Sequence, residues 1–340
     1  MLPDHEYHPL EVVAVVDETA DTRSFVLGIP PALEATFAYA PGQFCTFRAT
    51  IDGESVVRCY SMSSAPDVGE PFTTTVKRVD GGRMSNWMND TLAPGSTIEV
   101  MRPSGLFVQH EREQDVPIVA FAGGSGITPV ISIIKSALAR TNRTVRLVYA
   151  NRDTASVIFA EELARGQDVY GDRFEVHHHL DDERGFLDAE ACAVLAAERA
   201  HADFYICGPA PYMDTVEAGL TKLGVATEQR FIERFVLPEA APVSTDAPVP
   251  EALVIKLDRR KHTIRYAAGD TVLEAARRGG LNPPFSCEAG NCATCMAHLD
   301  KGSVAMRVNN ALSDDELADG WILTCQSIPT STELAVTYDD

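Results

Sequence analysis

The stretch Cys287-Glu-Ala-Gly-Asn-Cys292-Ala-Thr-Cys295 places three cysteines at C-x4-C-x2-C spacing, and Cys325 follows after 29 further residues. Small or flexible residues fill the spaces between the first three thiols, so the loop can fold tightly and bring backbone N–H groups towards the sulfurs. Four thiolates at this spacing are typical of a [2Fe–2S] cluster. A structural zinc site, the alternative, more often uses two short cysteine pairs. We therefore predict that these four cysteines are iron ligands.

The chain around the cysteine loop predicts a separate small domain over residues 251–340. A hairpin pattern, Leu253–Leu257 then His262–Tyr266, precedes a helix at Val272–Arg278. Residues 236–250 contain four prolines and little that could pack, so they are predicted to form a semi-extended linker.

The first 235 residues change their hydrophobic pattern near residue 113. Residues 1–112 alternate short apolar runs with Gly and Pro turns, which predicts a small antiparallel barrel. Residues 113–235 alternate strand-like and helical stretches, which predicts a parallel, doubly wound α/β sheet. In this second region we expect a helix over residues 128–139, with Thr128 as its N-cap and Pro129 at its first position.

Composition limits the classes of partner. The 340 residues include 49 acidic and 29 basic side chains, for a formal net charge of −20. This charge disfavours nucleic acids and anionic membrane surfaces, and suits a protein partner with a basic surface. With eight cysteines, no run of ~20 apolar residues and no signal-peptide pattern, we expect a cytoplasmic protein with reduced thiols.

Two segments of the predicted barrel point to a flavin. In Arg58-Cys-Tyr60-Ser61, alternation puts the Arg and Tyr side chains on one face, where they could meet a phosphate and a flat ring. The segment from Val76 to Trp87 reads as a strand, a Gly81-Gly82 turn and a helix whose first amides, with the Ser85 hydroxyl, suit a pyrophosphate. Each motif alone could be an ordinary strand or hairpin. Together they predict a flavin site, and the pyrophosphate element favours FAD over FMN.

Two strand ends in the second region suit a nucleotide. The loop Gly123-Gly124-Ser125-Gly126 follows a buried strand and opens a helix, where glycines let the backbone approach a diphosphate. Pro129 stands where a G-x-G-x-x-G fingerprint needs its third glycine, so a standard Rossmann dehydrogenase is disfavoured. The segment from Cys207 to Met213 follows a later strand, at the edge where α/β sheets bind ligands. Plain turns and a buried thiol are the alternatives.

The run His177-His-His179 is a weaker signal. Consecutive side chains on a strand alternate between faces, so the three imidazoles could not bind one metal ion together. We expect ordinary surface histidines here.

Taken in order, these motifs resemble the ferredoxin–NADP⁺ reductase superfamily with a C-terminal ferredoxin domain, the three-domain reductases of bacterial oxygenase systems. The resemblance covers essentially the whole chain and implies a β-grasp fold for the last domain. It implies FAD contacts from Arg58, Tyr60, Ser61, Val76, Lys77, Gly82, Met84 and Ser85. It implies nucleotide contacts from Gly124, Gly126, Thr128, Arg152, Gly208, Pro209 and Met213. Catalytic roles would fall to Ser61, Cys207, Glu233 and Phe235, the last two within an acidic-x-aromatic segment similar to one that the family places near the flavin.

Within the superfamily, stretches such as Tyr149-Ala-Asn-Arg-Asp153 and Val336-Thr-Tyr-Asp-Asp340 resemble reductase components of 3-ketosteroid 9α-hydroxylases, Rieske monooxygenases of steroid catabolism. Phenylacetyl-CoA epoxidase-type reductases, or those of other aromatic oxygenases, are the alternative. The resemblance implies electron flow from NADH to FAD, then to [2Fe–2S] and a terminal oxygenase. NADPH stays open, because Arg152 could meet a 2′-phosphate. A non-catalytic redox sensor and a general ferric or cytochrome reductase are the remaining alternatives.

The two halves of the last domain differ in net charge. Residues 251–278 carry seven basic and four acidic side chains, whereas residues 279–340 carry two basic and nine acidic ones. The half that contains the cysteines therefore carries the negative charge, including Asp314, Asp315, Glu316 and Asp319. We predict that the oxygenase docks a basic patch there, and that the isolated reductase is a monomer.

Overall fold

The computed structural model describes residues 7–112, 116–235, 249–285, 290, 293–309, 311–312 and 314–339, and for residue 314 the backbone only. Two of the predicted iron ligands, Cys287 and Cys292, therefore lie outside the described residues, as does most of the predicted linker. Within the described ranges, no helix combines the length and the apolar character that crossing a bilayer requires.

The first domain is an antiparallel barrel. Its strands are β1 (Tyr7–Thr19), β2 (Thr22–Gly28), β3 (Phe44–Ile51), β4 (Glu54–Ser61), β5 (Thr73–Lys77) and β6 (Thr97–Met101), with helix α1 at Arg83–Thr91. The sheet runs in the order β4–β3–β6–β1–β2–β5. A backbone bridge between Met62 and Thr74 joins the two outer strands and closes the barrel. Closure removes the exposed strand edges and encloses an apolar core that includes Phe25 and Phe47.

The second domain has a five-stranded parallel sheet. Its elements are β7 (Ile118–Gly123), α2 (Ile127–Arg140), β8 (Val145–Asn151), α3 (Ala160–Tyr170), β9 (Phe174–Leu180), α4 (Asp181–Arg184), α5 (Ala189–Ala197), β10 (Asp203–Cys207), α6 (Ala210–Lys222) and β11 (Arg230–Glu233). The strand order is β11–β10–β7–β8–β9. One hydrophobic cluster covers each face of the sheet, so the fold is doubly wound, as predicted.

The start of α2 differs from the prediction. A 3₁₀ turn at Gly124–Gly126 runs directly into the helix, which begins at Ile127 with Gly126 as its N-cap. Thr128 is therefore the second residue of the helix, and its hydroxyl donates to the Ser125 carbonyl at 3.0 Å. The prediction of Thr128 as N-cap was wrong because the glycine turn already has the compact geometry that the helix continues.

The third domain is a small mixed sheet packed on a helix, which is the β-grasp arrangement expected. Its elements are β12 (Ala252–Leu257), β13 (Arg260–Arg265), α7 (Val272–Arg278), β14 (Met296–Lys301), β15 (Val304–Met306), α8 (Asp314–Ala318), β16 (Trp321–Leu323), β17 (Ser327–Pro329) and β18 (Leu334–Thr337). The main sheet runs β13–β12–β18–β14–β16, with β12 and β18 parallel. Thr271 and Glu274 form a capping box that starts α7 at the predicted residue.

Helix α2 attaches the α/β domain to the barrel. The Ser132 hydroxyl donates to the Ser64 carbonyl at 2.6 Å, and Lys135 pairs with Glu70 at 2.6 Å between Nζ and Oε2. Both barrel residues follow β4, the strand that carries the Arg-x-Tyr-Ser motif. The orientation of that motif therefore depends on contacts with the neighbouring domain.

A buried ion pair supports the segment that connects the two domains. Arg143 and Asp203 are 3% and 2% exposed, and their Nη2 and Oδ2 atoms lie 2.6 Å apart. Arg143 also donates to the backbone carbonyls of His110 and Val116, on either side of the interdomain junction. One guanidinium thus joins β10 to the connecting chain.

Replacing Asp203 by Ala should destabilise the α/β domain by roughly 3–5 kcal/mol, because it leaves the Arg143 guanidinium buried without a counter-ion. Urea unfolding followed by circular dichroism measures the change. Glu175→Ala is the matched control, since Glu175 pairs with Arg146 at a partly exposed site, and it should cost at most about 1 kcal/mol. Equal losses of unfolding free energy in the two variants would contradict a special role for the buried Arg143–Asp203 ion pair.

Candidate functional site

A cavity of about 360 Å³ lies between the barrel and the start of α2. The barrel wall includes Arg58, Tyr60 and Ser61 from the end of β4. Tyr60 is half-buried and its ring packs edge-on against Phe47, with centroids 5.7 Å apart. Burial raises the pKa of Tyr60 well above its usual value, so the phenol stays neutral. A neutral aromatic ring of fixed orientation suits stacking against a flat heterocycle.

The N-terminus of α1 forms another wall of this cavity. Gly82, Arg83, Met84 and Ser85 all line it. The Ser85 hydroxyl accepts from the Val79 amide at 3.1 Å and donates to the Gly82 carbonyl at 3.4 Å, so it builds the turn that exposes the first helical amides. A Cβ on Gly82 would lie 2.6 Å from that hydroxyl. Unpaired amides at a helix N-terminus bind anions, which fits the pyrophosphate of FAD.

A second cavity, of about 600 Å³, lies at the carboxyl ends of the parallel strands. Gly124 after β7, Arg152 after β8 and Pro209 after β10 line it. We call the first cavity the flavin cavity and this second one the nucleotide cavity; Lys77 lines both. The position at the strand ends is where α/β sheets bind nucleotides.

Glycines allow the two nucleotide loops to touch. A Cβ on Gly126 would lie 2.1 Å from the Cys207 carbonyl oxygen, and one on Gly208 would lie 3.1 Å from the Gly123 backbone. Any larger residue at position 126 would force the loops apart. The glycines therefore serve loop convergence as well as backbone approach to a diphosphate.

Cys207 and Glu233 lie side by side at the ends of β10 and β11, where they are register partners. Glu233 is 7% exposed, and burial raises its pKa to about 7. Cys207 is fully buried. Burial is the main cause that raises the pKa of its thiol, and the nearby Glu233 carboxyl raises it further. The thiol is thus neutral, which suits a packing role rather than nucleophilic chemistry. Phe235, two residues beyond Glu233, lines the flavin cavity with 43% of its surface exposed.

Two predicted contact residues point into hydrophobic cores instead of the cavities. Val76 is fully buried in the barrel core, and Met213 is fully buried between α6 and the sheet. Their side chains support the neighbouring loops. Sequence reasoning also missed several residues of the nucleotide cavity, among them buried Asn151 and Phe186, the latter 87% exposed. Asn151 ends β8, so the strand-end rule could have found it, whereas nothing in the sequence marks Phe186.

In the third domain, the described part of the cysteine site consists of Cys295 and Cys325. Both are buried, at 3% and 7% exposure. The Thr324 backbone N–H and hydroxyl both donate to the Cys295 carbonyl, at 3.2 and 2.7 Å, which holds the two cysteine segments together. Gln326 directs its amide towards the Cys325 sulfur at 3.6 Å. Buried thiols with a donor aimed at sulfur fit the ligands of an iron–sulfur cluster.

The cysteine segment lies against the barrel. The Thr294 hydroxyl is 4.0 Å from the Met101 sulfur at the end of β6. Gly290 has φ +76°, and a Cβ there would lie 2.8 Å from the Val308 carbonyl oxygen. Gly290 therefore leaves no room for a side chain, and Thr294 lies next to the barrel.

The histidine run is not wholly at the surface. His179 is 7% exposed, and its Nε2 lies 2.8 Å from the Gly185 carbonyl oxygen. The expectation of three surface histidines was wrong for this one, because the turn after α4 covers its imidazole and supplies the Gly185 carbonyl as its hydrogen-bond partner.

Three family profiles match the chain: an oxidoreductase FAD-binding domain at residues 9–108, an oxidoreductase NAD-binding domain at residues 121–218, and a 2Fe-2S iron-sulfur cluster binding domain at residues 255–330. The chain is 38% identical over 339 residues to the ferredoxin reductase component of 3-ketosteroid-9-alpha-monooxygenase from Rhodococcus rhodochrous, covering 97% of this chain and 96% of the relative. It is 34% identical to a component of the 1,2-phenylacetyl-CoA epoxidase from Escherichia coli strain K12, covering 98% of both.

The chain belongs to the family of monooxygenase reductase components. The solved structure of phthalate dioxygenase reductase, described as a modular structure for electron transfer from pyridine nucleotides to [2Fe–2S], aligns with a TM-score of 0.61 and 26% identity over 97% of this chain and 98% of that one. This reductase is thus an oxidoreductase that uses FAD, a [2Fe–2S] cluster and a nicotinamide nucleotide, as the motifs predicted.

Replacing Gly126 by Ala should weaken NADH binding by at least about tenfold, since the new methyl group collides with the Cys207 carbonyl and separates the two nucleotide loops. Quenching of flavin fluorescence, or the KM for NADH, measures the effect. Ser136→Ala is the control, because Ser136 is buried on the same helix and its hydroxyl has no hydrogen-bond partner among the described residues. Unchanged affinity in Gly126→Ala would contradict the interpretation.

Glu233 should make stability depend on pH. The pKa of Glu233 in the folded protein, about 7, exceeds its ordinary value of 4.5. Its contribution to the free energy of unfolding is therefore fully present below pH 4.5 and is lost as pH rises through 7. Relative to Glu233→Gln, the free energy of unfolding of the parent protein should fall by about 3 kcal/mol between pH 4.5 and 8, at 1.36 kcal/mol for each pKa unit. Thermal unfolding across this range measures the difference. Parallel stability curves for the two proteins would rule out the buried carboxyl as its source.

Proposed function

We propose that this reductase passes electrons from NADH, through FAD and the [2Fe–2S] cluster, to the terminal oxygenase of a 3-ketosteroid 9α-hydroxylase, a Rieske monooxygenase of steroid catabolism. The observation that carries the proposal is the 38% identity to such a reductase component along nearly the full length of both chains, through all three cofactor domains. We place the enzyme in the cytoplasm, a reducing compartment that keeps the ligand thiols available.

A bound flavin would accept a hydride from the nicotinamide and release its electrons singly, and the protein would supply binding and orientation. Tyr60 would stack on the ring, Ser61 would offer a hydroxyl to it, and Arg58 would hold a phosphate. Phe235, at the mouth of the flavin cavity, holds the place of the nicotinamide until the nucleotide binds. Cys207 and Glu233 form the floor of the hydride-transfer site, where the thiol stays neutral and the raised pKa of Glu233 reduces the negative charge near the reacting groups.

The charges of the nucleotide cavity favour NADH over NADPH. Arg152, the cation best placed for a 2′-phosphate, already pairs with Asp153 at 2.9 Å between Nε and Oδ2. Asp181 adds a further carboxylate to the cavity wall. A phosphate here would meet a neutralised guanidinium and a like charge, whereas ribose hydroxyls can donate to carboxylates.

Cys287, Cys292, Cys295 and Cys325 hold the cluster, and the adjacent acidic surface receives the oxygenase. Asp315 and Asp319 are exposed on and after α8, which packs against β16, the strand that leads to Cys325. Asp319 also accepts from the Trp321 indole at 3.2 Å, so its carboxylate has a fixed position. A basic patch on the oxygenase would complement this surface and steer the encounter.

The substrate of the oxygenase separates this proposal from its main alternative. We expect the purified reductase with NADH to support turnover of a 3-ketosteroid by a 3-ketosteroid 9α-hydroxylase oxygenase. With a phenylacetyl-CoA epoxidase oxygenase and its aromatic CoA thioester, turnover should be at least about tenfold slower. The reverse preference would favour the epoxidase alternative. Absence of flavin bleaching on mixing with NADH would favour a non-catalytic sensor.

Ionic strength tests the docking surface in the same assay. Electron transfer to the oxygenase should slow as salt rises from about 10 mM to about 300 mM, because screening weakens steering between opposite charges. Asp315→Asn should reduce this salt dependence, whereas Glu34→Gln on the barrel surface should leave it unchanged. A salt-independent rate would contradict docking through the acidic surface.

A further inference from the structure

A line of buried hydroxyl groups joins adjacent strands of the barrel. Ser24 on β2 and Thr75 on β5 are register partners, and their side-chain oxygens lie 2.7 Å apart. Thr75 also lies 2.7 Å from the Ser63 hydroxyl. All three residues are at most 3% exposed. In both contacts either oxygen can be the donor.

The middle member of this line, Thr75, reaches the flavin cavity. Thr75 lines that cavity together with Arg58, Tyr60 and Ser61. The backbone bridge between Met62 and Thr74 places Ser61 across from Thr75 on the adjoining strand. A hydroxyl of the line is therefore part of the wall beside the serine that we assign to the flavin ring.

One end of the line is a carboxyl group. Ser24 donates to Glu18 Oε1 at 2.6 Å. Glu18 is half-buried and lies where the pairing of β1 with β2 shifts register, between Asp17 and Thr19. Such irregularities redirect a side chain and are frequent beside active sites. Here the irregularity accompanies a carboxylate that joins the line of hydroxyls and retains access to solvent.

The surroundings of Glu18 suit a group that changes its protonation. Burial raises the pKa of Glu18, the Ser24 hydrogen bond lowers it, Glu162 on α3 raises it and Lys135 on α2 lowers it, with a net increase. Lys135 pairs with both Glu70 and Glu162, so its positive charge is shared. The carboxylate is thus a better proton acceptor than an exposed glutamate.

We propose that Glu18, Ser24 and Thr75 form a proton path that leads from the flavin cavity to solvent, and that Glu18 is its terminal acceptor. Oxidation of the two-electron-reduced flavin by the cluster sends out two electrons and one proton, and the electrons leave towards the oxygenase. Thr75 accepts the proton and passes its own to Ser24, Ser24 passes its own to the Glu18 carboxylate, and Glu18 then releases one to water. Each hydroxyl finishes with the hydrogen count with which it started.

This path predicts which kinetic step depends on Glu18. Hydride transfer from NADH brings its hydrogen together with its electrons and needs no proton from the protein. Flavin oxidation must release a proton. Glu18→Gln should therefore leave the rate of flavin reduction by NADH unchanged and slow flavin oxidation by at least about tenfold, with a solvent deuterium isotope effect confined to oxidation. Stopped-flow absorbance at the flavin band separates the two steps.

Substitutions at Ser24 provide a matched pair. Ser24→Thr keeps the hydroxyl, whereas Ser24→Val has the same shape as threonine without it. We expect normal flavin oxidation in the first and slow oxidation in the second. Glu11→Gln, an exposed carboxylate on the same strand as Glu18, should behave as the parent protein.

Two spectroscopic measurements are independent of turnover. In the flavin-free protein, carbon-13 NMR of labelled glutamate should show a higher Glu18 pKa in Ser24→Val than in Ser24→Thr. In the holoenzyme, infrared difference spectra of flavin oxidation should contain a carboxyl band that disappears in Glu18→Gln. If that band and the isotope effect are lost in Glu233→Gln instead, Glu233 is the acceptor and the proposal is overturned. Equal oxidation rates in Ser24→Thr and Ser24→Val overturn it as well.

Discussion

The contact between Gly126 and the Cys207 carbonyl is the constraint on which the arrangement of sites depends. It brings the loops after β7 and β10 to van der Waals distance and fixes where α2 begins. The first residues of α2 then border the flavin cavity, and its later turns bind the barrel through Ser132 and Lys135. A change of one Cβ at the start of this helix would therefore act on the nucleotide loops, the flavin cavity and the domain interface together.

The fold was largely predictable because its signals are local. Alternation and turn residues identify the barrel strands, and the capping box at Thr271 and Glu274 marks the first turn of α7. The start of α2 was missed because a 3₁₀ turn and an α-helix look alike in sequence. The inward orientation of His179 was missed because a triple repeat hides which of its members faces the core. The domain boundaries and the linker at residues 236–250 stay predictions.

The sequence motifs indicated where the sites lie, but they did not indicate all of the residues that line the cavities. Arg58, Tyr60 and the glycine loops lie where their patterns indicated, because such motifs encode backbone geometry. Val76 and Met213 belong to the same motifs but face the core, since only some positions of a motif reach the ligand. Asn151, Phe186 and the hydroxyl line through Thr75 come together only through strand pairing and domain packing, which no short segment of sequence contains.

Lys77 lines both the flavin cavity and the nucleotide cavity, so it can transmit an effect from one to the other. Its ammonium group lies 3.6 Å from Asp21 Oδ2, and the side chain separates the flavin cavity from the nucleotide cavity. A ligand in one cavity that attracts the Lys77 ammonium group would change the electrostatic potential in the other cavity. Linkage requires such an influence to be equal in both directions, so a nucleotide that attracts Lys77 would change the redox equilibrium of a bound flavin, and the redox state of the flavin would change the affinity for the nucleotide by the same factor.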